Sequence, residues 1–387
     1  MSSSDTGGNG KGPRLLYIDN IRILLICLVI TTHCSITYGG PGSWYFTDPG
    51  NAAGVPFVLT VINALNQSFF MGFFLLVSAY FVPSSLVRKG RRRFARDRLI
   101  RLGIPLVVWV LFLSPLIGYI VTAGTGHSPG SPLAFWISCF IPFHGLRLAL
   151  MWFVFLLLVS TFVYLGWTAY RPPAGVREPE PRPFPTFSAI AALGLLLGFV
   201  TAVVRIFLPI GSEWYFSFQL PFFPQYIAFF IPGLYAARNR WLDNIPDRTG
   251  KACGYAALVL VIVLVLFVAV VLGSPEGLTP VFGGGLYWQS VFFAFLEQMT
   301  GAMIIVSLLW LFFWRFNTQE PAARAMAGDS YTVYILHPLV LVLLSLSFAG
   351  VAISSGAKFA LVLPLTIAAA FILAHLIRAV PGVKRVL

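Results

Sequence analysis

The sequence predicts an all-α fold, a polytopic transmembrane helical bundle of about ten spans with both termini cytoplasmic. Three observations carry that expectation. Of the 387 residues 58% are hydrophobic and only 10% charged, with a mean hydropathy of +0.85. Soluble domains carry roughly 25% charged residues, and so few charges could not keep a surface of this size wet. Many windows reach the roughly 20 apolar residues that cross a hydrocarbon core of about 30 Å, and none shows the two-residue alternation of a barrel strand. Finally, the basic residues fall in alternate connections.

In order, the spans lie near 15–37, 56–82, 103–123, 147–169, 187–209, 217–237, 252–273, 286–314, 330–350 and 357–379. The apolar patch at 132–142 is shorter and holds Pro132 and Pro142, so it reads as a re-entrant or interfacial piece. Lys and Arg in short connections mark the cytoplasmic side. The N-terminus, 83–101, 170–186, 237–251, 315–329 and the C-terminus together hold 22 of the 26 Lys and Arg. The opposite connections hold Arg147 and Lys358, while Arg22 and Arg205 lie inside spans. A wrong helix count would scramble this alternation. The net charge of +13 is thus explained by orientation, without nucleic acid as a partner. The basic connections are also suited to anionic headgroups of the membrane lipids.

Residues 1–13 are rich in Gly and Ser and are expected to be a disordered cytoplasmic N-terminus. Residues 14–387 read as one membrane domain, in which the Pro-rich cytoplasmic loop 170–186 divides four spans from six. The first span lacks a small-x-small cleavage site and does not resemble a removed signal peptide. Cys27, Cys34, Cys139 and Cys253 are scattered. They give neither a disulfide framework nor the ligand spacing of a metal site.

The first span, "YIDNIRILLICLVITTHCSITY", carries Asp19, Arg22 and His33. Arg22 and His33 are 11 residues apart, about three turns plus 20°, so they share a face and are separated by about 16 Å along the axis. Asp19 precedes Arg22 by three residues and can pair with it. Ionisable groups at membrane depth are costly and face a cavity or a partner. One reading is structural, an interfacial Asp19–Arg22 pair and a satisfied interior histidine. The other is a polar tunnel, with a cation at the inner mouth for an anionic group and His33 at a reaction centre reachable from the other side.

The second informative stretch, "RKGRRRFARDRLIRLGIP", holds eight basic residues against Asp97. On a helical wheel Arg91, Arg98 and Arg101 cluster, as do Arg93 and Arg96. A snorkelling, headgroup-binding helix would account for them. So would an anion clamp, since guanidinium forks grip phosphates bidentately, with Arg98 and Arg101 facing inward. Ser330, Tyr334 and His337 share a face and either hydrogen-bond between helices or form a polar cavity wall. Arg205 and Glu213 form a rim pair or touch an acceptor, and Trp214 and Tyr215 suit sugar stacking or an interfacial belt. Glu297 needs a partner, such as an arginine of the bundle. His127 and His144 receive no role, and His375 and Arg378 are expected to snorkel.

These segments resemble the acyltransferase-3 family of integral-membrane O-acyltransferases. "DNIRILLICLVITTH" is similar to its Arg-x10-His first helix. "FFMGFFLLVSAYFVPSSLVRKGRRRFARDRLIRLGIPLVVW" is similar to its second helix, Arg-rich loop and third-helix start. "LMWFVFLLL", "FPQYIAFFIPGLYAARNRW" and "DSYTVYILHPLV" resemble later segments in the same order. The resemblance covers residues 15 to about 345, and the subgroup it points to is the glucan-biosynthesis succinyltransferase type. It departs at Ile21-Arg22-Ile23 and Ser78-Ala79, and no His directly precedes Trp152. Trp152 is left as a packing or substrate-wall residue.

The resemblance implies a multi-pass enzyme of the cell membrane. It would move an acyl group of the acetyl or succinyl class from cytoplasmic acyl-CoA to a hydroxyl of a carbohydrate or lipid-linked glycan at the outer face. By the same resemblance it would bind no cofactor permanently and take acyl-CoA as its donor substrate. The family's residues map onto Arg22, His33, Arg98, Arg101, Tyr331 and His337. His33 is the expected catalytic centre, as general base or as transient acyl carrier. Arg22, Arg98 and Arg101 would bind the donor, with Asp19, Trp152, Tyr331, Tyr334 and His337 as wall or support. The competing class is a transporter or flippase for an anionic or glycosylated substrate, although no inverted repeat or pair of broken helices supports it.

Overall fold

The computed structural model describes residues 15–48, 54–141, 148–170, 181–211, 218–274 and 282–387. Among the described residues ten helices are long and apolar enough to cross a membrane. They are α1 (Leu16–Thr37), α2 (Val55–Lys89), α3 (Arg91–Gly124), α4 (Ala149–Tyr170), α5 (Phe187–Phe207), α6 (Leu220–Asn239), α7 (Asp247–Leu272), α8 (Trp288–Arg315), α9 (Pro321–Ala349) and α10 (Ser355–Ala379). Among the described residues there is no strand. Within the described part of the patch at 132–142 there is one short helix, Pro132–Ser138, N-capped by the Ser131 hydroxyl; Pro142 lies outside the described residues.

Several helices outrun the apolar stretches that announced them. α2 continues past Pro83 through Arg88 and Lys89 and stops where Gly90 takes a φ of +72°, a conformation open to glycine at little cost. The basic segment beyond it is the first turns of α3 rather than a loop. α9 begins at Pro321, nine residues before the expected start, because Ala-rich turns extend it out of the apolar zone. Apolar length marks what the bilayer covers, whereas capping residues mark where the helix ends.

Helices α1 and α9 are central. α1 packs against α2, α8, α9 and α10, and α9 also packs against α3 and α10. α3, α7 and α10 lie at the periphery, with a small buried share. Small residues let the inner helices approach. A Cβ at Gly233 of α6 would lie 2.7 Å from the Ala79 methyl of α2, so the alanine that departs from the family pattern is housed by a glycine opposite. Gly301 of α8 similarly faces the backbone of Ser68.

α3 is not a regular helix. It widens into π-helical turns at Leu99–Gly103 and Trp109–Leu113, just before Pro105 and just before Pro115. A proline has no N–H for the carbonyl four residues back. Those two carbonyls are met from elsewhere: the Tyr331 hydroxyl donates to the Arg101 carbonyl at 2.9 Å, and the Trp136 indole N–H to the Leu111 carbonyl at 2.7 Å.

The N-terminal residues 1–14 and residues 171–180 of the Pro-rich loop lie outside the described residues, as do Arg147, His144, Glu213, Trp214 and Tyr215.

Candidate functional site

The centre of the bundle brings two of the predicted residues into direct contact. His33 sits one turn before the end of α1, and His337 lies mid-helix on α9, wholly buried. Their rings are nearly coplanar, 8° apart, with His33 Nδ1 2.9 Å from His337 Nε2. The other ring nitrogen of His337, Nδ1, lies 3.2 Å from the Val333 carbonyl one turn back. Trp44 stacks on His33 with ring centres 3.9 Å apart and planes 13° apart. Nothing in the sequence pointed to Trp44; it lies in a connection, and only the fold returns it to α1.

That return is well anchored. The Asp48 amide donates to the Thr37 carbonyl at 2.6 Å and the Gly40 amide to the Ser35 carbonyl at 2.8 Å. Asn63 of α2 donates to the Pro41 carbonyl, and the Tyr45 hydroxyl lies 3.1 Å from that of Ser114. Lys358, buried at the start of α10, bonds Asp48 at 2.6 Å. Segment 38–48 therefore forms a cover over His33. The Trp44 indole N–H within it is buried without a hydrogen-bond partner among the described residues.

Beside His33, polar side chains pass inward from α1. Asn66 donates to Thr32, and Gln67 donates to the Tyr226 hydroxyl at 2.9 Å. Tyr226 stacks on Trp152, ring centres 4.8 Å apart, so Trp152 packs within this polar wall. The Tyr334 hydroxyl bonds the Leu150 carbonyl and Ser330 turns back to the Met326 carbonyl. Of the polar face expected on α9, His337 alone meets His33; the tyrosines tie α9 to α3 and α4.

The basic residues gather at the opposite end of α1. Arg22 pairs with Asp19 at 3.4 Å, as the spacing required, and is about a third exposed. Arg98 and Arg101 line a cavity of about 230 Å³ with Arg88, Lys89 and Asp97. A second, of about 820 Å³, is lined by Arg92, Arg93, Arg96, Arg101 and Arg385 together with Asp97 and Ile100. Neither is lined by Arg22 or His33. Arg98 is half-buried over the Phe94 ring, but Arg101 is exposed rather than inward-facing. The wide turn at 99–103 breaks the 100° phase that the helical wheel assumes. Arg91 leaves the cluster altogether and binds the Leu165 carbonyl and Thr168 of α4.

Two further expectations change. Arg205 does not stand at a rim, and Glu213, its expected rim partner, lies outside the described residues. Arg205 is fully buried and pairs with Glu297 at 2.6 Å, supplying the arginine that Glu297 needs. His375 and Arg378 do not simply snorkel: both bind Asp329 of α9, at 2.9 and 2.5 Å. His127 is exposed beside Thr125.

A family model described as an acyltransferase domain, that of the acyltransferase-3 family, matches residues 15–375. The chain is 25% identical over 346 residues to "Glucans biosynthesis protein C" of Salmonella schwarzengrund (strain CVM19633), covering 85% of this chain and 83% of that one. It is likewise 25% identical over 345 residues to the protein of that name from Salmonella gallinarum (strain 287/91 / NCTC 13346), with the same coverage of both chains. The chain belongs to the acyltransferase-3 family and is a membrane acyltransferase.

Proposed function

We propose that the protein transfers an acyl group of the acetyl or succinyl class from acyl-CoA to a hydroxyl of a carbohydrate or lipid-linked glycan. The donor is held at the arginine-rich end, on the cytoplasmic side of the cell membrane, and the acceptor arrives from the outer face. The observation that carries this is the placing of a deep imidazole, His33, and an arginine, Arg22, towards opposite ends of one helix. His33 and Arg22 are about 16 Å apart along α1, a separation of the order of a pantetheine arm. The excess of Lys and Arg at the Arg22 end supports the orientation.

In this scheme His33 is the general base. It takes the proton of the acceptor hydroxyl as that oxygen attacks the thioester carbonyl. The carbon–sulfur bond then breaks, and the imidazolium returns its proton to the departing thiolate sulfur. The products are an ester and free coenzyme A, with atoms and charge balanced. The Trp44 N–H beside His33, without a partner among the described residues, is available to an oxygen of the acceptor or of the tetrahedral intermediate, and its ring suits a sugar face. Arg22, Arg98 and Arg101 bind the phosphates of the donor. The relatives' printed name, "Glucans biosynthesis protein C", agrees with a glucan-type acceptor.

The test is thiol release by the purified protein in lipid with acetyl- and succinyl-CoA. Wild type is expected to bind and slowly turn over one of them. His33→Ala should bind but not turn over, and Arg22→Ala should bind more weakly. Binding of neither donor, or unchanged behaviour in both variants, overturns the assignment.

A further inference from the structure

We propose that His337 is the positioning residue that selects the tautomer of His33, so that the bare nitrogen facing the acceptor is His33 Nε2. The inference deepens the general-base role given to His33 above and rests on that role for its catalytic meaning; the tautomer itself can be read without it.

The direction is set by a group that cannot reverse. The Val333 carbonyl has no hydrogen to give, so the His337 Nδ1 that meets it at 3.2 Å carries one. The Tyr334 carbonyl also faces this ring, and its usual helical donor at position 338 is a proline. A neutral His337 fixed in this way has a bare Nε2. That atom lies 2.9 Å from His33 Nδ1, a distance that requires one hydrogen between them. The hydrogen therefore belongs to His33 Nδ1, and the lone pair of His33 is left on Nε2. Trp44 holds the ring plane from the side, so neither the tautomer nor the orientation is free.

The order is carbonyl, His337, His33, acceptor hydroxyl. It is the arrangement in which a buried acceptor behind a catalytic imidazole fixes its tautomer, here with a second imidazole in place of a carboxylate. When His33 takes the acceptor proton on Nε2, its Nδ1–H bond to His337 is already in place and strengthens as the ring becomes charged. No heavy atom has to move.

The chain holds five histidines, so selective ¹⁵N-histidine labelling in lipid gives a countable spectrum, with the His33 signals assigned by loss in His33→Gln. Wild type is expected to show His33 protonated on Nδ1 and bare on Nε2. His337→Leu removes the acceptor and should return His33 to a mixture of tautomers. His337→Gln places an amide oxygen near the lost Nε2 and should keep the wild-type pattern. Turnover should follow, with a fall of about 100-fold or more for Leu at unchanged donor KM and recovery to within about tenfold of wild type for Gln. The proposal is overturned if wild-type His33 is protonated on Nε2, or if His337 carries both hydrogens and donates to His33. It is equally overturned if the folded Leu variant keeps both tautomer and rate. Absence of turnover with every donor would strike the proposed function and leave the spectroscopic answer standing.

Discussion

Replacing either member of the Arg205–Glu297 pair should unfold the bundle far more readily than replacing both. Both side chains are 0% exposed and their contact is 2.6 Å, so solvent and salt do not screen it. If Glu297 is replaced by Leu, the guanidinium keeps the faces of Phe222 and Phe293, at 5.1 and 5.6 Å. It loses its carboxylate, and its Nε and Nη1 already lack partners among the described residues. If Arg205 is replaced by Met, Glu297 keeps the Gln298 amide at 3.1 Å and nothing of opposite charge at bonding distance. Stranding one buried charge costs about 3–5 kcal/mol, whereas an apolar pair of similar volume is often neutral or better. Each single variant should therefore lose about 3–5 kcal/mol, and Arg205→Met/Glu297→Leu should lie within about 2 kcal/mol of wild type. Reversible SDS unfolding in bicelles measures all four corners of the cycle. Additive losses, with a coupling under about 1 kcal/mol, would refute the picture of a dry, mutually dependent pair.

Trp44→Phe keeps the ring over His33 and removes the N–H; acyl transfer to a sugar acceptor should fall about tenfold or more, with thiol release to water much less affected. Trp44→Ala uncovers His33, so donor hydrolysis without acceptor should rise, and a rate unchanged in a thiol-release assay would show that segment 38–48 does not exclude water. Arg98→Ala and Arg101→Ala should raise donor KM and flatten its rise with salt, kcat remaining within about threefold, because exposed phosphate contacts are screened. Tyr331→Phe leaves the Arg101 carbonyl without its side-chain donor and, the bond being exposed, should cost about 0.5–1.5 kcal/mol in the same unfolding assay.

The ten helices were legible because membrane physics writes them in length, composition and charge placement, and α1, α4 and α5 end close to their apolar stretches. The Asp19–Arg22 pair followed from a three-residue spacing alone. What the sequence withheld are contacts between distant segments. His337 could be placed on a polar face of α9 but not against His33, since nothing in a single chain states which turn of α9 meets which turn of α1. Arg205 stood near a span end and so looked like a rim residue; its side chain turns inward because Glu297, deep in α8, offers it a partner. Trp44 gave no signal at all, because a tryptophan in a polar connection is a common interfacial residue.

Three helix prolines did carry a signal that is only readable with hindsight about backbone accounting. Pro105, Pro115 and Pro338 each deprive the carbonyl four residues earlier of its N–H, and a membrane interior supplies no water to replace it. The consequence is a demand for a side-chain donor at a definable depth. Tyr331 answers Arg101, Trp136 answers Leu111, and the His337 ring lies against the Tyr334 carbonyl. The first of these binds α9 to Arg101, which with Asp97 lines both basic cavities. The third holds the imidazole that meets His33. The same helix α9 thus anchors at Tyr331 and presents His337 six residues later, about 9 Å along its axis. Pro105 is therefore more than a kink: it frees the Arg101 carbonyl that ties α9 to α3 through Tyr331, while Pro338 frees a carbonyl of α9 itself that faces the His337 ring. Pro338→Ala, which restores an N–H for the Tyr334 carbonyl, should raise the unfolding free energy while His33 keeps its tautomer, because the Val333 carbonyl still holds the His337 Nδ1–H; a changed tautomer would show that the Tyr334 carbonyl, not that of Val333, orients His337.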